Sequence, residues 1–169
     1  AGGSGVGTAA IQLAKAKGAK VITTVGSPEK VQKAKDLGAD HVINYQEERF
    51  EAVTRKITKK MGVDVVFEHV GADTWAGSML SLKMGGRLVT CGSTSGVKAE
   101  IDLFRLFQQQ IHIFGSFGCS LKNIHSVLKK LDLGIVKPTI DSIVSVSDIE
   151  LALERLESRQ VFGKIMLTL

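Results

Sequence analysis

The chain has 169 residues, of which 44% are hydrophobic and 23% charged, a composition that is ordinary for a soluble globular protein with one sizeable core. The net charge of +5 is spread along the chain, so an anionic small ligand is a simpler interpretation than nucleic-acid binding. No apolar run approaches the ~20 residues of a membrane span, and no signal segment opens the chain. We therefore expect a cytoplasmic protein with neither membrane nor nucleic acid as partner.

The first third of the sequence alternates helical spacing with short β-branched runs. Gly18 is placed to end the first helix, and Ser27 to cap the second, with Pro28 at its first position. The predicted elements are a helix over 6–17, a strand over 21–25, a helix over 28–37, a strand over 41–44 and a polar amphipathic helix over about 47–60.

The same alternation continues through the middle of the chain. The predicted elements are a strand over 63–68, a helix over 73–83, a turn at 85–86, a strand over 87–91, a short helix over 102–110, a strand over 111–115 and a helix over 121–133. Strands that alternate with helices through short connections predict an α/β fold, with a doubly wound parallel sheet covered on both faces.

The pattern changes after residue 135, where Pro138 interrupts the alternation. A strand over 140–146, a helix capped by Ser147 and running through 156, and a strand over 162–169 follow. This tail need not belong to the parallel sheet. We therefore predict a dinucleotide-binding domain over 1–135 and a separate C-terminal segment over 136–169.

The opening of the chain is a glycine-rich turn that leads directly into a helix. Such a turn lets the backbone approach a pyrophosphate, and the helix N-terminus presents N–H groups to it. The spacing is not the strict dinucleotide pattern: Gly2 and Gly7 fit, but Ser4 stands at the middle glycine. A plain tight turn therefore remains an alternative for this segment alone.

The end of the strand over 21–25 bears on cofactor choice. Sites that prefer NAD usually place a carboxylate there for the ribose hydroxyls, and here none occurs before Glu29. Ser27 and Lys30 could instead attract a 2′-phosphate, although Lys30 could equally be a solvated helix residue. The sequence therefore favours NADP over NAD.

Several stretches, in order, resemble one known family. They are 4–14, 25–27, 37–40, 63–67, 85–89 and 162–165. Together they resemble the medium-chain dehydrogenase/reductase superfamily, and within it the quinone oxidoreductases and zinc-type alcohol dehydrogenases. The resemblance implies a Rossmann-type domain of an NADP-dependent oxidoreductase, whose full-length parent would act on a quinone, an enone, a carbonyl or an alcohol.

The resemblance also implies cofactor contacts. A phosphate-binding turn, an adenosine site, a nicotinamide site and a basic residue on the pyrophosphate are expected. In that order the residues are Ser4, Gly5, Val6 and Gly7; Ser27, Lys30 and Tyr45; Cys91, Gly92, Ser93, Phe117 and Gly118; and Lys164. Val70 and Gly71 are expected to lie along the cofactor. Gly71 and Gly92 could simply end strands, and Phe117 could belong to the core.

This sequence departs from the family pattern at both ends. The strand that leads into the glycine turn and the preceding catalytic domain are missing, and the family's C-terminal stretch returns to that domain. We therefore expect a portion of a larger protein, with weak cofactor binding and no turnover of its own. The resemblance further implies a homodimer through the sheet edge near 111–118.

Cysteine and histidine positions give no further chemistry. Cys91 and Cys119 are expected to be buried free thiols in a reducing compartment. The four histidines are scattered without metal-ligand spacing, so no metal site is predicted. A catalytic acid role for His69 is an alternative to a packing role, but no catalytic residue is assigned.

Two other functions remain open at this point. The domain could sense a dinucleotide without chemistry, or use its turn for another nucleotide. A methyltransferase-like domain is less attractive, because the family-like order of motifs extends beyond the glycine turn.

Overall fold

The computed structural model describes residues 1–169 and contains seven strands, seven α-helices and one 3-10 helix. The helices are α1 (Gly5–Ala16), α2 (Glu29–Asp36), α3 (Phe50–Ile57), α4 (Ala72–Ser81), α5 (Leu103–Gln108), α6 (Leu121–Asp132) and α7 (Ile149–Glu157), with the 3-10 helix over Val146–Asp148. The strands are β1 (Ile22–Val25), β2 (His41–Asn44), β3 (Val63–Glu68), β4 (Leu82–Thr90), β5 (His112–Gly115), β6 (Ile140–Ser145) and β7 (Lys164–Thr168). None of the helices has both the length and the apolar character needed to cross a membrane.

Every predicted helix and strand is present, but three local assignments are wrong. Ser27 does not cap the second helix, because Pro28 itself takes the N-cap position of α2 and no side-chain cap bond is formed. The glycine pair at 85–86 is no turn between elements: β4 runs through it, and the pairing with β3 shifts there, so the extra residues form a bulge. Ser147 does not cap the tail helix. The hydroxyl of Ser145 accepts the amide of Ser147, which starts the 3-10 helix, and α7 begins only after Asp148.

All strand pairs are parallel, which confirms the predicted α/β class. They form three hydrogen-bonded groups, β1 with β2, β3 with β4 and β5, and β6 with β7. Each parallel pair is linked by a helix, as a crossover connection requires. The exact registers of β1 on β2 and of β4 on β5 contain no irregularity.

The chain divides into two compact units. The first unit contains residues 1–46 and 120–169, and the second contains residues 47–119. The tail is therefore part of the first unit, through residues such as Phe162, which is 4% exposed and packs with Val25 and Ala34. The division predicted at residue 135 stays a prediction about the family's architecture.

The core of the second unit lies between α4 and its sheet. Met79, Leu82, Leu88 and Ile111 are buried together, and Trp75 packs on them. Met79 and Leu82 come from the end of α4 and the start of β4, so this short connection fixes the helix on the strands. The bulge in β4 lies immediately beyond it.

Two expectations about burial are wrong. Strand β3 is not covered on both faces: Val66 packs in the core, while its neighbours Val65 and Phe67, which point to the opposite face, are exposed. The thiols of Cys91 and Cys119 are free as expected but exposed rather than buried, because both lie in loops after strands.

Candidate functional site

The glycine turn is held by a serine cap. The hydroxyl of Ser4 accepts the amide of Gly7 at 2.9 Å and donates to the carbonyl of Ala1 at 3.0 Å. Gly7 has no room for a side chain, because a Cβ there would overlap the backbone of Ala1. Ser4 and Gly7 therefore shape the turn: the Ser4 hydroxyl is occupied by bonds within the chain, and the space beside Gly7 is filled by the backbone of Ala1.

Two amides at the start of α1 are left unpaired by that cap. The N–H groups of Gly5 and Val6 form no hydrogen bond within the chain. The exposed side chain of Lys164 crosses this point, and a Cβ on Gly5 would lie 2.8 Å from its Nζ. Two free amides at a helix N-terminus beside an ammonium group form an arrangement that suits an anion.

A cavity of about 430 Å³ opens beside the carboxyl ends of β1 and β2. Its lining comes entirely from the first unit. The residues are Gly26, Ser27, Glu29, Lys30, Lys33, Tyr45, Gln46, Ser158, Arg159, Gln160 and Phe162. The three residues predicted for the adenosine end, Ser27, Lys30 and Tyr45, are thus brought together in one cavity.

The cavity has a marked positive charge. Lys30, Lys33 and Arg159 line it, and the ammonium of Lys30 donates a hydrogen bond to the carbonyl of Arg159. Burial lowers the pKa of Lys30, because partial removal from water disfavours its ammonium form. An anion bound there would offset that penalty.

One carboxylate belongs to the same cavity. Glu29 lines it, two residues after Ser27. Interaction with the Ser27 hydroxyl lowers the pKa of Glu29, so this side chain is ionised near neutral pH. The cavity therefore combines three cations with one anion.

The tail supplies cavity residues that the sequence analysis missed. Arg159 follows α7 and has a φ of 58°, a left-handed conformation that turns the chain back towards β7. Lys33 stacks over the ring of Phe162, with its Nζ 5.8 Å from the centroid. No local pattern marks Arg159, since it is separated from Lys30 by 129 residues.

The second unit brings together the loops that follow β3 and β4. The amide of Ser95 donates to the carbonyl of Val70 at 2.7 Å, and a Cβ on Gly71 would lie 3.0 Å from the Cα of Ser93. A Cβ on Gly92 would lie 2.8 Å from the carbonyl oxygen of His69. Val70 and Gly71, predicted to lie along the cofactor, are therefore neighbours of Gly92 and Ser93, predicted for the nicotinamide site.

The other residues predicted for that site are less constrained. Cys91 is exposed, and its amide donates to the carbonyl of Glu68 at 3.1 Å. Phe117 is fully exposed, so it does not belong to the core, and Gly118 has a φ of 62° in open space. His69 is half-buried, and burial lowers its pKa, so its imidazole is neutral near pH 7.

Glu68 is the second residue that the sequence analysis missed. It ends β3 and is 4% exposed, and its carboxylate accepts hydrogen bonds from the loop that contains Val70 and Gly71. A carboxylate at the end of an apolar strand, just before a glycine and a helix, is a signal that could have found it. No group of three or more His, Cys, Asp or Glu side chains is arranged to hold a metal ion.

Comparison with known proteins identifies the family. The family model described as zinc-binding dehydrogenase matches residues 5–132. The quinone oxidoreductase of Salmonella typhimurium is 45% identical over 109 residues, which are 64% of this chain and 33% of that protein.

Solved structures agree with this assignment. The Escherichia coli quinone oxidoreductase complexed with NADPH matches with a TM-score of 0.85 and 33% identity, over 100% of this chain and 55% of that one. An NAD-dependent alcohol dehydrogenase matches with a TM-score of 0.91 and 35% identity, over 99% of this chain and 49% of that one. These matches confirm the Rossmann-type fold.

The chain spans a third of the length of the Salmonella relative and about half of each of the two solved chains. The matched region includes the glycine-turn helix and the loops after β3 and β4. The chain belongs to the zinc-binding dehydrogenase family, in the quinone oxidoreductase and alcohol dehydrogenase branch of the medium-chain dehydrogenases/reductases.

Proposed function

We propose that this chain is the dinucleotide-binding domain of an oxidoreductase that prefers NADP(H) to NAD(H). The observation on which the proposal rests is the cavity at the ends of β1 and β2, where Lys30, Lys33 and Arg159 surround an open space of about 430 Å³. A dianionic 2′-phosphate would form charge-assisted hydrogen bonds with three cations there. A neutral ribose hydroxyl carries no charge to attract them, so the cations would favour NAD(H) less. The relative solved with NADPH supports this choice.

The pyrophosphate fits the start of α1. The unpaired amides of Gly5 and Val6 would donate to its oxygens, and the flexible side chain of Lys164 would contact it from the side. Ser4 and Gly7 would contribute through the shape of the turn, since the hydroxyl of Ser4 is already used as a cap.

The nicotinamide end is assigned to the second unit. Val70, Gly71, Gly92 and Ser93 bring the backbones of two loops into close contact, and the nicotinamide ring is proposed to lie against these loops. Cys91, Phe117 and Gly118 are proposed to complete it, although their side chains or backbone are exposed in this structure. The nicotinamide, when bound, supplies the hydride, and the protein supplies position and electrostatics.

The reaction proposed for the whole protein rests on its relatives in the same family branch. The relatives are named as quinone oxidoreductases and alcohol dehydrogenases, so we propose hydride transfer to a quinone, an enone or a carbonyl, or from an alcohol. A neutral His69 beside the loop at 70–71 could serve as a hydrogen-bond partner there, and no catalytic role is assigned to it.

A titration tests the choice of cofactor. NADPH and NADH are added separately to the 169-residue chain, and binding is followed by the change in nicotinamide fluorescence. We expect tighter binding of NADPH, and replacing Lys30 by Ala should weaken NADPH by about 10- to 100-fold, the loss expected for one hydrogen bond to a charged group. NADH binding should change less than about twofold.

Two further variants sharpen the titration. Lys35→Ala removes an exposed ammonium from the same helix but outside the cavity, so it should leave both affinities unchanged. Arg159→Asn removes the third cation while keeping a residue that tolerates the left-handed backbone. Tighter binding of NADH by the unaltered chain would reject the 2′-phosphate assignment.

The structure also supports the expected homodimer. Strand β5 is at the edge of its sheet, and Phe114 on it and Phe117 after it are exposed. An unpaired edge with apolar side chains favours association with a second copy. Light scattering should give twice the mass of 18.1 kDa, and a Phe114→Lys chain should be monomeric.

A further inference from the structure

Glu68 is a buried carboxylate without a cationic partner. One oxygen, Oε1, accepts the amides of Val70 at 2.6 Å and of Gly71 at 3.2 Å. The other oxygen, Oε2, accepts the hydroxyls of Ser78 at 2.6 Å and Thr74 at 2.9 Å. No lysine, arginine or histidine forms an ion pair with it. All of these partners belong to the second unit.

The charge of Glu68 is maintained by those four donors. Burial by itself would raise the pKa of Glu68, but the bonds from Ser78, the two loop amides and Thr74 outweigh it, and the pKa is lowered. The carboxylate also lies before the N-terminus of α4, where the helix dipole favours a negative charge. The side chain is therefore ionised at neutral pH although it is out of contact with water.

The carboxylate fixes the direction of the loop backbone. Two consecutive amides, those of Val70 and Gly71, turn inwards to one oxygen, and Gly71 takes a φ of 104° that favours glycine. The carbonyl of Val70 is held from the other side by the amide and the hydroxyl of Ser95. The loop after β3 is thus clamped on one side by Glu68 and on the other by the loop after β4.

A helix cap alone does not require this arrangement. Ser4 and Ser120 cap α1 and α6 with a neutral hydroxyl from the N-cap position itself. At α4 the N-cap residue is Gly71, which has no side chain, and a full charge reaches it from inside the sheet. The arrangement holds the backbone at residue 71 at a point where a Cβ would overlap the carbonyl oxygen of Gly96, so the loop after β4 packs directly on it.

We propose that Glu68 is a positioning residue for the nicotinamide half of the cofactor, acting through the backbone of Val70 and Gly71. The inference rests on the proposed function, which assigns that loop to the nicotinamide. Glu68 does not touch the cofactor; it sets where the loop's backbone meets it. Its loss should therefore affect the nicotinamide end and leave the adenosine end unchanged.

The experiment separates the two ends of the cofactor. The 169-residue chain and its Glu68→Gln variant are titrated with NADPH and with 2′,5′-ADP, which lacks the nicotinamide. Glutamine keeps the shape but removes the charge: its amide oxygen can accept the two loop amides while its NH2 group donates to the hydroxyls of Ser78 and Thr74, so a neutral oxygen holds the loop with weaker bonds than the carboxylate does. We expect about tenfold weaker NADPH binding with a smaller change in nicotinamide fluorescence, and 2′,5′-ADP binding within about twofold of the unaltered chain.

Ser78→Ala is the matched control. It removes one donor from Oε2 and leaves the two loop bonds on Oε1 intact, so it should lower the thermal midpoint while preserving NADPH affinity. Glu68→Asp retains the charge on a shorter side chain and should give the same split between the two ligands. If the Gln variant does not fold, the Asp variant decides the question.

Each outcome has a definite meaning. Equal weakening of both ligands, or no change in either, overturns the positioning role, because a structural residue would act on both ends or on neither. Failure of the unaltered chain to bind 2′,5′-ADP overturns the proposed function and the inference with it. Loss of NADPH affinity alone supports both.

Discussion

The hydroxyl of Tyr45 occupies the space that a side chain on Gly26 would need, since a Cβ at Gly26 would lie 2.8 Å from the Cζ of Tyr45. Gly26 directly follows β1, and Tyr45 directly follows β2. The parallel pairing of the two strands therefore brings the two residues together at the edge of the cavity. The ring of Tyr45 can lie over the backbone only because residue 26 is glycine.

Gly26→Ala should displace that ring. The backbone of Gly26 does not have a positive φ, so alanine is penalised only by the overlap, which we expect to cost about 1–3 kcal/mol as overpacking or to be relieved by moving the tyrosine. Either way the cavity changes shape, and 2′,5′-ADP should bind several-fold more weakly by calorimetry.

A control distinguishes this effect from a general cost of replacing glycine. Gly115 lies in β5, does not line the cavity and has no atom within 4 Å of a Cβ built there, so Gly115→Ala should cost no stability and leave 2′,5′-ADP affinity unchanged. Unchanged 2′,5′-ADP binding by Gly26→Ala would remove Tyr45 from the proposed adenosine site.

Glu29→Gln should increase the preference for NADPH over NADH. The carboxylate lines the cavity and is ionised near neutral pH, since interaction with the Ser27 hydroxyl lowers its pKa. It would repel a 2′-phosphate and could accept a hydrogen bond from a ribose hydroxyl. Removing its charge should tighten NADPH and weaken or leave unchanged NADH, as measured by the ratio of the two dissociation constants.

Glu48→Gln makes the same change in net charge outside the cavity. Glu48 is exposed and does not line the site, so it tests whether the ratio responds to overall charge. If Glu29→Gln instead lowers the preference for NADPH, the Glu29 carboxylate favours the phosphorylated cofactor, and the predicted repulsion of the 2′-phosphate is wrong.

Gln12→Ala should loosen the tail from the first helix. The side-chain amide of Gln12 pairs with both backbone groups of Lys137, accepting its amide at 2.8 Å and donating to its carbonyl at 2.9 Å. Two neutral hydrogen bonds at a half-exposed site are worth about 1–2 kcal/mol in the free energy of unfolding, which urea denaturation can measure. Hydrogen exchange at the Lys137 amide should quicken as well.

The matched control for Gln12 lies on α2. The amide of Gln32 donates to Asp36 four residues later on an exposed helix surface, so Gln32→Ala should cost only a few tenths of a kcal/mol. If the two variants lose the same stability, the pairing with Lys137 contributes nothing specific to the fold.

The order and type of the elements were predictable because they depend on local patterns. The run over 63–68 and Gly18 after α1 show this, since apolar strand residues and a glycine with a positive φ act over a few positions. The bulge at Gly85 arises because β4 has more residues than β3 between two points where the strands pair, Val63 with Leu82 and Val65 with Arg87. No local pattern shows this difference.

Only those residues of the candidate site that belong to a recognisable sequence motif could be predicted. Ser27, Lys30 and Tyr45 follow strands whose ends meet at one sheet edge, and the structure brings them together. Arg159 was missed because its proximity depends on the return of the tail to β1 and α2. The position of Glu68 at the end of an apolar strand could have singled it out, but its burial depends on four donors from the loop after β3 and from α4, which the sequence does not show.

Acid should weaken the link between Asp141 and its partners. Asp141 at the start of β6 pairs with Arg155 at 2.6 Å and accepts the amide of Phe162 at 3.0 Å. Burial would raise the pKa of this carboxyl, but the bonds from Phe162 and Arg155 outweigh it and hold the pKa below its usual range. A carboxyl with a lowered pKa in the folded state stabilises the fold fully above its unfolded pKa of about 3.9, and this contribution is lost as the pH falls through the folded value.

Asp141→Asn should therefore reduce the free energy of unfolding by roughly 1–3 kcal/mol at pH 7 and by progressively less below about pH 4, because protonation removes the same charge from the unaltered chain. Urea denaturation across this range measures the difference between the two chains, which cancels the contributions of other carboxyls. Asp132→Asn, which removes a carboxylate that forms no ion pair, is the reference. A difference that stays constant from pH 7 to pH 3 would mean that Arg155 and Phe162 do not stabilise the charge of Asp141.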